Sequence, residues 1–89
     1  MERDFSFIFE DRVSFLEMKK AAWDLGIAEA RELSPVEVFR GGSIPAGKYS
    51  ILLRIRFQSN ERTLRDDEIA QWSAKIVDAL AGLGGTQRA

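Results

Sequence analysis

The sequence predicts an α+β sandwich in which one antiparallel sheet carries two helices on a single face. Three observations lead there. Period-two alternation in RDFSFIFE and in YSILLRIRF marks two amphipathic strands. Apolar residues at helical spacing after Ser14 and after Asp66 mark two helices. The order is strand, helix, strand, strand, helix and a weak last strand. It lays both crossovers over the same face, because such connections are right-handed.

The first strand, residues 3–10, places Phe5, Phe7 and Phe9 on one side and Asp4, Ser6, Ile8 and Glu10 on the other. Ser14 and Glu17 then form an S-x-x-E capping box. Phe15, Met18, Ala22 and Leu25 recur at helical spacing up to Gly26, a C-terminal stop, so a helix spans roughly 15–25. AEARELS, residues 28–34, is ambiguous and is compatible with the start of the second strand. From Pro35, PVEVF sets Val36 and Val38 against Glu37 and Phe39, and Pro35 suits a strand start or edge. The third strand covers 49–57. The second helix, roughly 66–82, carries a stripe of Ile69, Trp72, Ile76, Ala79 and Leu83. Thr63 or Asp66 is placed to cap it, and Asp66, Asp67 and Glu68 lie at its positive end. Gly84-Gly85 breaks the chain before TQRA, a short fourth strand. This is the split βαβ, ferredoxin-like βαββαβ arrangement, and it leaves one sheet face without helices. Trp23 and Trp72 are expected in helix packing, and Arg62 and Arg65 as solvated loop charges.

Composition narrows the chemistry. The chain has 89 residues, enough for one domain, with 45% hydrophobic and 30% charged residues. It contains no cysteine and no histidine. Disulfides, Cys/His zinc sites, cysteine nucleophiles and histidine general bases are therefore excluded. Thirteen basic against fourteen acidic residues give a net charge of −1. A polyanion would have to be held by a local patch rather than by bulk charge. The absence of cysteine suits a cytoplasmic chain, and no stretch is apolar and long enough for a membrane span.

The segment GGSIPAGKYS invites a different reading. Gly42 to Lys48 spells G-x-x-x-x-G-K, one residue short of a phosphate-binding P-loop. The next residue is Tyr49 rather than Ser or Thr, and a strand follows rather than a helix. No helix N-terminus is aimed at a phosphate, so the segment reads as a hairpin loop whose glycines and Pro45 serve the turn. An enzyme of the acylphosphatase type would need a phosphate-cradling loop after the first strand, and EDRVS lacks the glycines for one.

The apolar parity assigns Phe5, Phe7, Phe9, Val36, Val38, Ile51, Leu53, Ile55 and Phe57 to the core. The opposite parity, Asp4, Ser6, Ile8, Glu37, Phe39, Ser50, Leu52, Arg54 and Arg56, faces away from the helices. It mixes hydroxyls, an aromatic ring and two arginines. Sheets that bind RNA combine aromatic stacking with cationic contacts in this way. The same pattern also fits cross-strand packing or a protein contact. The acidic trio 66–68 is read as dipole-matched helix capping rather than as a metal site.

VFRGGSIPAGKYS, followed by RFQSNERTLRDDEI and preceded by an opening RDFSF, resembles the C-terminal ferredoxin-fold anticodon-binding domain of the phenylalanyl-tRNA synthetase beta chain. The aromatic-R-G element, the P-x-G turn and R-T-L before an acidic helix start occur in the expected order, and the likeness spans nearly the whole chain. The resemblance implies a single domain, residues 1–89, excised from the C-terminus of a larger chain. It implies an RNA-binding module without catalytic residues, cofactor or metal of its own. In the family the aromatic that ends the second strand stacks on the first anticodon base, and Phe39 holds that position. The family's small residue in the first strand matches Ser6, and its third-strand serine matches Ser50. Arg40, Arg54 and Arg56 are added as phosphate or base-edge donors. The family's lysine just before that serine is displaced by one place to Lys48, which leaves Tyr49 as a candidate second ring, although its parity points toward the core side. The implied partners are the anticodon stem-loop of tRNA-Phe, the rest of the beta chain and the alpha subunit, with no DNA and no membrane, in the cytoplasm. The alternative is a ferredoxin-like interaction or ligand-sensing module that self-associates through its open sheet.

Overall fold

A computed structural model describes residues 1–88. The elements are β1 (Glu2–Glu10), α1 (Phe15–Trp23), β2 (Ala30–Phe39), β3 (Lys48–Phe57), α2 (Asp66–Ala81) and β4 (Thr86–Arg88). The sheet runs in the order β2-β3-β1-β4. β1 is antiparallel to both of its neighbours, and β2 is antiparallel to β3. This is the ferredoxin-like α+β arrangement expected from the sequence.

The core lies between the sheet and the two helices. Phe7 and Phe9 of β1, with Ile51, Leu53, Ile55 and Phe57 of β3, meet Met18 and Ala22 of α1 and Ile69, Ile76 and Leu80 of α2. Each of these buried Phe, Leu, Ile and Met side chains contributes about 1.5–3 kcal/mol of transfer free energy. Phe7 stacks on Phe9 at a centroid distance of 5.6 Å, and Trp72 stacks on Phe57 at 5.7 Å. Trp72 therefore has the packing role expected of it. Trp23 is 36% exposed. Phe5 is only half-buried, packed against the rim of the core.

Helix α1 starts as its capping box requires: Ser14 Oγ accepts from the Glu17 amide at 3.2 Å. The chain leaves it through Gly26 at φ 70°, a backbone region that only glycine enters freely. Helix α2 starts differently from the expectation. Its N-cap is Arg65 rather than Thr63 or Asp66, and Arg65 makes no side-chain cap bond. Glu68 supplies the acceptor instead, taking the Arg65 amide at 3.2 Å. Leu80, absent from the expected stripe, is fully buried, whereas Ala79 is half-buried.

Strand β2 departs most from the sequence reading. It begins at Ala30, five residues before Pro35, and its core contact is Leu33 at 4% exposure. The register slips between Pro35 and Glu37, so Val36 is the extra residue of a bulge. Val36 and Val38 are 45% and 53% exposed and do not belong to the core. Val38 keeps the core-side parity opposite Ile51, but β2 is the outer strand of the sheet. Residues 86–88 of the expected TQRA strand form β4, and Ala89 lies outside the described residues.

Candidate nucleic-acid interface

Register builds the helix-free face row by row, because residues directly opposite on neighbouring strands share a side. Phe39 lies opposite Ser50, Ser50 opposite Ile8, and Ile8 opposite Thr86. The adjacent row is Glu37, Leu52, Ser6 and Arg88. The structure thus brings together Phe39, Ser50 and Ser6, as their parity required. Phe39 is 56% exposed, with its ring on the surface rather than spent on the core.

The loop at 41–47 ends one strand beside Phe39 and starts the next below Ser50. Gly41, Gly42 and Gly47 have φ of 83°, 59° and 79°, where a Cβ is strained. Turn hydrogen bonds run from Ile44 N to Gly41 O and from Lys48 N to Pro45 O. Ile44 folds under the loop to 8% exposure. The segment is a hairpin loop entering a strand, with no helix behind it. Between the loop, Phe39 and Arg88 lies a hollow of about 300 Å³. A wider hollow of about 490 Å³ lies elsewhere, beside Trp23, Gly26 and Arg31. The smaller one concerns the sheet face, because Phe39 forms its wall.

Arg88 is the residue that sequence reasoning missed. Its Nη1 donates to Ser50 Oγ at 3.1 Å and so reaches from β4 to β3 across β1. Ser50 is 3% exposed, so its hydroxyl anchors the arginine in the free chain. The only sequence signal was the arginine in TQRA, and its side chain acquires a site only through the pairing of Arg88 with Ser6.

The other expected cations are distributed unevenly. Lys48 lies opposite Glu10 at the loop end of β3 and is exposed. Arg40 is ion-paired to Asp11 and lies over the Tyr49 ring, 5.0 Å from its centroid. Tyr49 is on the core side, as its parity implied, and its hydroxyl donates to Val13 O. Burial pushes the Tyr49 phenol up, partly offset by Arg40. Arg54 makes a two-pronged pair with Asp4, Nε to Oδ1 at 2.9 Å and Nη2 to Oδ2 at 3.0 Å. This hydrogen bond holds the Asp4 carboxyl below its ordinary value. Arg56 donates to Gln58 Oε1.

At the N-terminal end of α2, Arg62 grips Glu68 through Nη1 and Nη2 at 2.6 and 2.7 Å, and Arg65 pairs with Asp67. Arg62 and Arg65 are paired rather than freely solvated. The hydrogen bond from Arg62 brings the Glu68 carboxyl down to about 2, aided by the Arg65 amide. Among the described residues no group of three metal-ligating side chains assembles, the acidic trio included. No described helix is long and apolar enough to cross a membrane.

A four-stranded sheet with one free face bearing an exposed ring, two hydroxyls and peripheral cations has elements in common with sheets that bind single-stranded nucleic acid. The chain matches the ferredoxin-fold anticodon binding domain over residues 1–88, and it belongs to that family. It is 34% identical over 87 residues to the phenylalanine–tRNA ligase beta subunit of Geobacter sulfurreducens, covering 97% of this chain and 11% of that subunit. It is 37% identical over 89 residues to the same subunit of Ruegeria pomeroyi, covering 99% and 11%. The chain thus spans about 11% of the length of these relatives. The resemblance read from the aromatic-R-G, P-x-G and R-T-L elements is borne out: this is an anticodon-binding-type domain of the kind found in that ligase subunit.

Proposed function

We propose that this chain binds the anticodon stem-loop of tRNA-Phe on its helix-free face, with Phe39 as the stacking platform. The observation that carries the reading is the Phe39–Ser50 pair: an exposed ring directly opposite a buried, arginine-bound hydroxyl. A base laid on the ring gains about 1–3 kcal/mol. Ser6, and Arg88 held in place by the buried Ser50 hydroxyl, lie beside the ring and supply groups to base edges. Lys48 and Arg40, at the loop end, are placed for backbone phosphates, whereas Arg54, held by Asp4, and Arg56, bonded to Gln58, lie further along the face and are not assigned a contact.

The mechanism is positional. The domain orients the tRNA, while aminoacylation takes place on the alpha subunit and the remaining beta-chain domains, in the cytoplasm. No residue of this chain is assigned a catalytic role. A fluorescence titration with the cognate stem-loop, beside one altered at the first anticodon base, tests the reading. Tighter binding of the cognate loop is expected, and equal binding of both would reject base reading. A second reading, self-association, draws on the exposed Val36 and Val38 of the outer strand. Pro35 and the bulge work against strand pairing there. Light-scattering molar mass distinguishes the two: a dimer would favour the second.

A further inference from the structure

The helix-free face has two unlike ends. One end carries Phe39, Ser50, Ile8, Ser6 and Leu52. The other is a lattice of opposed charges. Asp4 lies directly opposite Arg54, and Arg56 lies between Glu2 on one side and Glu32 on the other. Cβ atoms of such cross-strand neighbours are about 4.5–5.5 Å apart, so each arginine has a carboxylate-bearing neighbour in its own row. At this end Glu2, Asp4 and Glu32 outnumber Arg54 and Arg56. The Asp4–Arg54 pair is also the strong kind: both carboxylate oxygens are taken by two different guanidinium nitrogens, at 2.9 and 3.0 Å.

This lattice bears on how RNA would seat. A phosphate seeking Arg54 must displace a carboxylate already held in fork geometry, and it would then face that carboxylate's negative charge at short range. At the Phe39 end the row of the ring itself, Ser50, Ile8 and Thr86, carries no charge; Glu37 lies one row away, and the Arg40–Asp11 pair and Lys48 opposite Glu10 lie at the loop. We propose that Asp4 withholds Arg54 from nucleic acid, with Glu2 and Glu32 flanking Arg56 in the next row of the face, and so confines the RNA footprint to the Phe39 end of the sheet. Asp4 is then a specificity-determining residue. It suppresses sequence-independent phosphate binding, which any RNA could use, and leaves base stacking to decide affinity. This inference rests on the sheet-face reading above and adds to it the direction in which the footprint stops.

The sequence could not show this device, because Asp4 and Arg54 are fifty residues apart and meet only through the β1–β3 register. Each phosphate contact contributes about 0.7–0.9 to the slope of log K against log salt concentration. Releasing one cation should therefore be read as a slope change.

The test compares the wild-type chain with Asp4→Asn, Arg54→Gln and the double variant. Surface ion pairs add little to stability, and circular dichroism melts confirm that each variant is folded. Two probes are titrated from low to moderate salt: the tRNA-Phe anticodon stem-loop and single-stranded polyuridylate. Asp4→Asn should tighten both several-fold at low salt, steepen the salt slope by about 0.7–0.9, and narrow the ratio between the two RNAs. Arg54→Gln alone should change neither probe, and the double variant should return to wild-type behaviour. A slope unchanged or flattened in Asp4→Asn would overturn the proposal. So would a loss of affinity in Arg54→Gln, which would show that the paired arginine already holds phosphate. If the stem-loop does not bind the wild-type chain, the anticodon reading fails while the polyuridylate series still decides the role of Asp4.

Discussion

Gly85 is the tightest point of the fold and gives the sharpest stability prediction. It joins the end of α2 to β4, and its amide donates to Leu80 O at 3.3 Å. A Cβ placed on it would lie 2.6 Å from Phe9 Cε1, 2.7 Å from Phe9 Cζ and 2.9 Å from Leu80 O. Phe9 is fully buried, stacked on Phe7 and close to Tyr49, so its ring has no free direction in which to retreat. Gly85→Ala therefore overpacks the core, at a cost of about 1–3 kcal/mol. In a domain of this size that lowers Tm by roughly 4–24 °C. The displaced segment also carries Arg88, so its hydrogen bond to Ser50 loosens as well. Thermal and urea unfolding measure the first effect. Adding Phe9→Leu removes the atoms in the way, so the double variant should be more stable than the sum of the single changes predicts, by about 1 kcal/mol. A Gly85→Ala chain within ~0.5 kcal/mol of wild type would refute the steric reasoning, because neighbouring surface substitutions have effects of that size.

Other outcomes follow from the same geometry. Tyr49→Phe keeps the ring under Arg40 but leaves the Val13 carbonyl without its buried donor, which should cost about 1–3 kcal/mol in urea unfolding. Glu68 has a folded-state carboxyl value of about 2 against 4.5 for the free group. A depressed carboxyl contributes stability that is present above pH 4.5 and is lost as pH falls toward 2. The Tm gap between wild type and Glu68→Gln should thus be constant above pH 4.5 and close below it, and a gap that persists at pH 2 would contradict the Arg62–Glu68 assignment.

Much of this fold is legible in the sequence where a face is buried. β1 and β3 alternate cleanly because one side packs on helices, so their parity also fixed which residues point away. Phe39, Ser50 and Ser6 could be set on one surface before any register was known. β2 was harder to read. As the outer strand it buries only Leu33 of ARELS, so residues 30–34 carry no alternation strong enough to mark a strand. The bulge at Val36 and the thin cover over Val38 then expose two valines that composition alone would bury. The cap of α2 was misread because a backbone amide and a glutamate from within the helix replace a side-chain cap. Ion pairs such as Asp4–Arg54 and contacts such as Arg88–Ser50 depend on register between distant strands, which no local pattern encodes.

The measurement that bears most directly on the central claim is the affinity of Phe39→Ala for the tRNA-Phe anticodon stem-loop, taken with its melting curve. Phe39 is 56% exposed, so less than half of its side chain supports the fold, and truncation should cost no more than about 1 kcal/mol of stability. Loss of a stacked base should cost about 1–3 kcal/mol of binding, or roughly 5- to 150-fold in Kd. A folded Phe39→Ala chain that binds the stem-loop as tightly as wild type would contradict the stacking mechanism and leave only backbone electrostatics.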